Sequence, residues 1–440
     1  MDFTTEQKII LAAEPTRESP LRVKAFAGTG KTTMLREYAR ARMDKSFLYL
    51  SYNRALREDA LRTMPSNVES RTVHSLAFKA VGLDYSSRGM LKKGTVNPGD
   101  VLRVHSDIGF KMAYSVCRVL GAYLASDDKD VQLKHIPHGV VKALLSEEVG
   151  ANEAKVMEKD LRRFIDEATD GTVEIVCWRM DYKRLWRSVE RRMEELISLT
   201  REVWEAMKSF SNRDIGMTHD GYLKVYQLSG EGGKYNVIMV DEAQDMTPCM
   251  WATVENQDGR KIFVGDRYQA LYAWRGAKDF LSMIRTSSEL DLCLTQSFRF
   301  GNDVASIATS LLKNVAGEGG VLKGNPDIGT EVVELGGDGC PRGGVVLCRS
   351  NLEIFRSALT SSQYVGIGIV GGSDGCRFQD MADVQYLMAG KLGRIKNGFI
   401  RSFSSFEQFK QFFSAVGETG LVSSCEMAEK HGVEIHGMIK

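Results

Sequence analysis

Two short segments constrain this chain more than any others: residues 25–32 read AFAGTGKT, and residues 241–245 read DEAQD directly after the apolar run YNVIMV at 235–240. The first has the chemistry of a phosphate-gripping loop. Gly28 and Gly30 let the backbone turn its N–H groups toward phosphate oxygens, Ala27, Thr29 and Thr33 complete the lining, and a helix opening near Lys31 aims its positive end at the same point. Lys31 supplies a point charge for β- and γ-phosphates, and the Thr32 hydroxyl is placed to ligate Mg²⁺. Such a loop needs a strand before it and a helix after it; LRVKAF at 21–26 and the helix-forming residues 34–42 meet that demand. Ala25 stands where the stricter pattern has glycine, so the loop alone could be a chance match. The second signature makes chance a poor explanation.

YNVIMV has the continuous apolar character of a buried parallel strand that delivers carboxylates to a site at its C-terminal edge. Asp241 would hold Mg²⁺, and Glu242 would orient and deprotonate an attacking water. A solvated acidic turn is the bland alternative, and it leaves the intact loop unexplained. FLYL at 47–50 and KIFV at 261–264, the latter ending in Gly265 and Asp266, repeat the grammar of strand then polar loop. The fold class predicted is α/β, a P-loop NTPase with a parallel sheet covered by helices on both faces. From 91 to 213 the character changes to charged helix-forming stretches, including 155–168 and 184–209, which reads as a helical insertion. After a Gly-rich stretch at 317–344, GVVLC at 344–348 and YVGIGIV at 364–370 read as strands of a second α/β unit.

Composition narrows the partners. With 58 Lys and Arg against 57 Asp and Glu, no global basic field advertises a polyanion, so any such ligand needs a local groove. The 8 cysteines show no CxxC pairing and read as reduced thiols, which argues against zinc and disulfides. The opening MDFTTEQKII has neither the basic nor the apolar region of a secretion signal, and no stretch approaches about eighteen apolar residues. The expectation is a cytoplasmic protein, neither secreted nor in a membrane.

Taken in order, the segments resemble the UvrD/Rep-type superfamily 1 DNA helicases, and within them the F-box DNA helicase group, without its F-box. FTTEQ at 3–7 resembles the N-terminal glutamine motif, LSYNRA at 50–55 motif Ia, and RTVHSLA at 71–77 motif Ib. THDGYLKVYQL at 218–228, DEAQD, and VGDRYQALYAWRGA at 264–277 follow in the family's order. LTQSFRFG at 294–301 resembles motif IV, and LCRSN at 347–351 with residues 371–383 resembles the start of the second motor domain.

The resemblance implies ATP and Mg²⁺ as cofactors and single-stranded or partial duplex DNA as partner. It implies that Gln7 reads the adenine edge, that Phe298 stacks on the adenine, and that Arg299 reaches across the cleft to the γ-phosphate. Gln269 stands where the family senses the γ-phosphate. Trp274 and Tyr272 stand where it stacks aromatic rings on bases, a contact of roughly 1 to 3 kcal/mol per base. Tyr52, Asn53 and His74 would line the strand's path, with His74 either a phosphate contact or a structural histidine. The implied domains are 1–85 with 214–290 as a first RecA-like domain, 86–213 as its helical insertion, and 291–440 as a partial second RecA-like domain with the start of its own insertion.

The family's T-x-H-x-x-K-G-L-E and V-A-x-T-R-A patterns are not found between Gly372 and Lys440. Two expectations follow. One is an ATP-dependent DNA helicase, 3′ to 5′ by resemblance, working in repair or recombination, either a fragment of a longer chain or completed by a separately encoded C-terminal motor half, with that half or repair and recombination proteins as partners; in a bacterium or phage it would be nucleoid-associated. The other is a truncated, nucleotide-regulated single-strand binding module that does not unwind.

Overall fold

Six short segments pair in parallel; the central ones are apolar runs buried on both faces, leaving their backbone hydrogen bonds no partner except neighbouring strands. A computed structural model describes residues 3–149, 180–317, 319–333, 344–361, 368–370, 378–416, 418–432 and 435. The strands are β1 (Leu21–Ala25), β2 (Phe47–Ser51), β3 (Val68–Thr72), β4 (Lys234–Val240), β5 (Asp258–Gly265) and β6 (Asp291–Leu294). They lie in the order β3-β2-β4-β5-β1-β6. Every ladder is parallel, with Val23 opposite both Val264 and Leu292, and Tyr49 opposite Met239.

Alternation along the strands sends side chains to two layers. On one face α1 (Thr5–Ala12) and α2 (Lys31–Arg40) contribute Ile10, Met34, Leu35 and Tyr38 to a core with Val23, Phe47, Met239 and Val264. Phe263 points the other way and stacks on Trp251 of the helix Pro248–Glu255, with ring centroids 4.7 Å apart. For the site, the decisive feature is that β5 separates β1 from β4. The loops leaving the C-terminal ends of these three strands therefore sit side by side along one edge.

The chain divides into two compact units, one of residues 1–96, 121–130 and 205–333, the other of 97–120, 131–204 and 334–440. In the first, a parallel bridge between Leu91 and Met217 brings together the two ends of the long segment between them. Residues 291–294 were expected to open a second domain, but β6 pairs with β1 at the edge of the first sheet. The reason is a bidentate clamp: Arg22 Nε and Nη2 donate to the two Asp291 carboxylate oxygens at 2.8 and 2.6 Å, and Nη1 donates to the Ile284 carbonyl at 2.9 Å. The hydrogen bonds from Arg22 hold the Asp291 carboxyl below the usual carboxylate range. Asp291→Ala is expected to lower stability by about 2 kcal/mol in urea unfolding, because it strands a half-buried guanidinium. Because the folded carboxyl titrates below its unfolded value, the wild-type advantage is complete above about pH 4 and fades as pH falls through the lowered value.

Among the described residues the second unit contains helices alone. Phe409, Phe413 and Phe403 form the centre of its core, with Val384 and Ile400. Gly139 sits where any Cβ would strike the Val416 carbonyl, so the helices His138–Val149 and Phe406–Val416 meet backbone to backbone. The strand expected at 344–348 does not form. No neighbouring strand among the described residues offers 345–348 a ladder, and Leu347 is 92% exposed. The helix expected at 155–168 and most of the strand expected at 364–370 lie outside the described residues, as do 371–377 of the segment likened to the second motor domain.

Candidate active site

The loop after β1 turns through Gly28 and Gly30, at φ +74 and +81, a region where a side chain is strained. Gly30 then caps α2, whose first turn carries Lys31, Thr32 and Thr33, while Thr29 is buried and its hydroxyl donates to the Phe26 carbonyl at 2.8 Å. The segment after β6 folds down over this loop. Phe298 N–H donates to the Gly28 carbonyl at 2.8 Å, and a Cβ on Gly28 would lie 2.6 Å from both Arg299 Cβ and Ser297 Oγ. Arg299 thus lies against the loop in the same compact unit, not across a cleft as expected. The ring of Phe298 is 46% exposed, with Gln7 Nε2 and Phe298 Cδ2 both near Gly30. Gln7 has already committed its carbonyl: Oε1 accepts from Thr4 N–H at 3.0 Å in the capping box of α1.

At the end of β4 the two carboxylates meet the loop. Thr32 Oγ1 donates to Asp241 Oδ2 at 2.7 Å, as does the Tyr49 hydroxyl at 2.8 Å, and Lys31 Nζ lies 2.7 Å from Glu242 Oε2. Burial, and next the neighbouring charge of Glu242, push the Asp241 carboxyl up. Glu242 is the one non-glycine with positive φ among the described residues, at φ 56. Backbone strain of this kind collects at functional sites. Its side chain also accepts from Gln244 Nε2 at 2.9 Å, and Gln244 Oε1 in turn accepts from Asp266 N–H at the end of β5 at 3.0 Å. Asp266 Oδ2 accepts from Gln269 Nε2 at 2.5 Å, and Asp245 Oδ1 from Leu271 N–H at 3.1 Å. A continuous polar chain therefore runs from Lys31 to the loop carrying Tyr272 and Trp274.

That loop presents an aromatic face. Trp274 is 79% exposed, and the Tyr272 ring packs against Tyr52 with centroids 4.5 Å apart. Burial pushes the Tyr52 hydroxyl up to about 12, against the charge of Arg275. Asn53 is exposed and spends its Oδ1 capping the helix Arg54–Thr63, accepting from Leu56 N–H at 2.9 Å. His74 Nε2 is 2.9 Å from Asp220 Oδ1.

Tyr49, Glu6, Gln244 and Asp220 were not singled out in the sequence. Glu6 receives both the backbone N–H and the hydroxyl of Thr295, at 2.8 and 2.6 Å, and so ties α1 to the segment that covers the loop. Gln244, Glu6 and Asp220 had a signal, their places inside DEAQD, FTTEQ and THDGYLKVYQL. A nucleoside triphosphate with Mg²⁺ fits what is here: a glycine loop at a helix N-terminus, and a hard-oxygen pair, Thr32 and Asp241, already in contact. Among the described residues no group of three or more His, Cys, Asp or Glu could hold a metal without such a ligand, and no helix is long and apolar enough to cross a membrane.

A family model described as the UvrD/REP helicase N-terminal domain matches residues 3–285. The chain is 29% identical to F-box DNA helicase 1 of Gallus gallus over 466 aligned residues, covering 100% of this chain and 41% of that protein. It is 31% identical to F-box DNA helicase protein 1 of Schizosaccharomyces pombe over 328 residues, covering 73% of this chain and 34% of that protein. It spans less than half the length of either relative. With its loop, its carboxylates and most of its length matched, the chain belongs to the UvrD/REP helicase family.

Proposed function

We propose that this chain is an ATP-hydrolysing DNA motor that grips and moves along single-stranded DNA, 3′ to 5′, in DNA repair or recombination. The observation that carries the reading is the polar chain from Lys31 through Glu242, Gln244 and Asp266 to Gln269, which joins a phosphate loop to the loop bearing Trp274. Lys31 and Glu242 neutralise each other at 2.7 Å; a phosphate competes for the same ammonium and leaves Glu242 to take the proton of an attacking water. Bound Mg²⁺ would supply further neutralisation of the phosphates, held by Thr32 and Asp241. Arg299 stabilises charge developing on the transferred phosphoryl group, Gln269 answers to its presence, and Phe298 with the free amide of Gln7 holds the base. In the loop after β5, Trp274 and Tyr272 stack bases while Tyr52, Asn53 and His74 line the strand. Unwinding then opposes stacking of about 1.4 kcal/mol per base-pair step. Partners in this reading are single-stranded or partial duplex DNA, repair proteins, and a second motor half.

A second reading, a nucleotide-regulated single-strand binder without unwinding, is favoured by one observation: the described part of 334–440 is helical and builds no second sheet. Steady-state ATP hydrolysis with and without an oligo-dT strand separates the two. The motor reading expects strong stimulation, and Trp274→Ala is expected to raise the half-stimulating DNA concentration by about tenfold through lost stacking. DNA binding without turnover would leave only the second reading standing.

A further inference from the structure

Residues 218–228, THDGYLKVYQL, have no role in the function proposed above, yet they form a helix, His219–Ser229, capped by Thr218 and packed against the helix Val73–Ala77. Asp220 lies in its first turn, where a carboxylate also favours the helix dipole. Its two oxygens face nitrogens of two different side chains. Oδ1 is 2.9 Å from His74 Nε2, and Oδ2 is 3.9 Å from Arg275 Nη2. Arg275 follows the exposed Trp274 directly, and His74 lies two segments away in the chain. The His74 ring is further boxed by Tyr222, edge-on with centroids 6.5 Å apart, and Tyr222 is itself bonded to His219 at 2.9 Å. A carboxylate set among the groups proposed to meet a polyanion opposes binding unless it earns its place by aiming those groups.

We propose that Asp220 is a positioning residue for strand binding: it fixes the His74 ring and the Arg275 guanidinium so that the guanidinium presents N–H groups to the phosphates of a strand stacked on Trp274 while the ring edge walls the strand's path. Asp220 touches no nucleotide itself. The His74 bond fixes which ring nitrogen is engaged and so holds the orientation of the ring. The longer contact to Arg275 restrains the guanidinium without committing it, so a phosphate can share it. Burial alone would raise the Asp220 carboxyl, but the hydrogen bond from His74 and the charges of His74 and Arg275 outweigh it and hold the carboxyl low, so both contacts are made by a carboxylate.

The inference rests on the DNA reading, and the test keeps the two apart. Binding of a fluorescent oligo-dT strand is measured by anisotropy across a salt series for the full chain and for Asp220→Ala, Asp220→Asn, His74→Ala and the His74→Ala/Asp220→Ala pair, each checked for an unchanged unfolding midpoint. Asp220→Ala is expected to weaken binding about tenfold and to flatten the salt dependence by about one phosphate contact. Asp220→Asn, which keeps an acceptor for His74, should recover most of the affinity, and the pair should bind more tightly than the product of the two single losses predicts. Unchanged affinity in Asp220→Ala, or a loss that is fully additive with His74→Ala and leaves the salt slope intact, overturns the inference while the DNA reading stands. Wild-type protein that binds no strand overturns both.

Discussion

Glu242→Gln lowers steady-state ATP turnover by about 10³-fold and leaves nucleotide binding in place, the expected outcome for loss of a general base. The amide has the size of the carboxylate but no proton affinity to draw on a water. It also carries no charge for Lys31, which now sits 2.7 Å from Glu242 and would be left to the nucleotide alone. Binding should therefore hold or tighten while chemistry stops, a split that a general loss of folding does not produce. Gln244 still finds an acceptor in the variant, because the amide oxygen can accept the bond now made at 2.9 Å. Phosphate release gives the turnover, and titration of a fluorescent ATP analogue gives the binding. A variant keeping more than about a tenth of wild-type turnover would remove Glu242 from the role of base.

Gly28→Ala should weaken ATP binding on the order of 100-fold by a different route, the displacement of a whole segment. Two penalties coincide at this position. The backbone at φ +74 costs a side chain about 1 to 2 kcal/mol, and the new Cβ would come within 2.6 Å of Arg299 Cβ and Ser297 Oγ. Arg299 Cβ is the root of its side chain, so a change of rotamer does not relieve the contact. Either the loop or the 297–299 segment must move, and the Phe298 N–H bond to the Gly28 carbonyl at 2.8 Å goes with it. The same nucleotide titration reads the effect. Near wild-type affinity would mean that the segment over the loop is free to lift, and that Phe298 and Arg299 are not seated there when nucleotide binds.

The parts of this fold that were readable in the sequence are those whose burial writes an apolar run. FLYL, YNVIMV and KIFV became β2, β4 and β5, and LRVKAF became β1. β3, VESRT, escaped because it is an edge strand with one buried residue of five, so no alternation marks it. β6 was assigned elsewhere because four residues, DLCL, do not declare which sheet they join; Arg22, 269 positions away, decides it. The site divides the same way. Lys31, Thr32, Asp241 and Glu242 were legible because their spacing is local, whereas the Tyr49 bond to Asp241 spans 192 positions and the Glu6 bond to Thr295 spans 289. Gln7 shows the remaining gap, since residue type could not reveal that its carbonyl is occupied by its own helix cap.

The strand order has a consequence for how the molecule is made. β1 and β2 are not neighbours: β1 waits for β5, with Leu21 against Ile262, and β2 waits for β4, with Phe47 against Val237. On a ribosome working from the N-terminus, the phosphate loop is thus synthesised early and has no sheet to stand on until more than half the chain has followed it. Through that interval β1 and the β4-facing edge of β2 have unpaired backbone beside apolar side chains, the condition under which nascent chains pair wrongly or recruit chaperones. Assembly of the nucleotide site is therefore a late event in the birth of this protein, timed by the passage of the long segment between Leu91 and Met217.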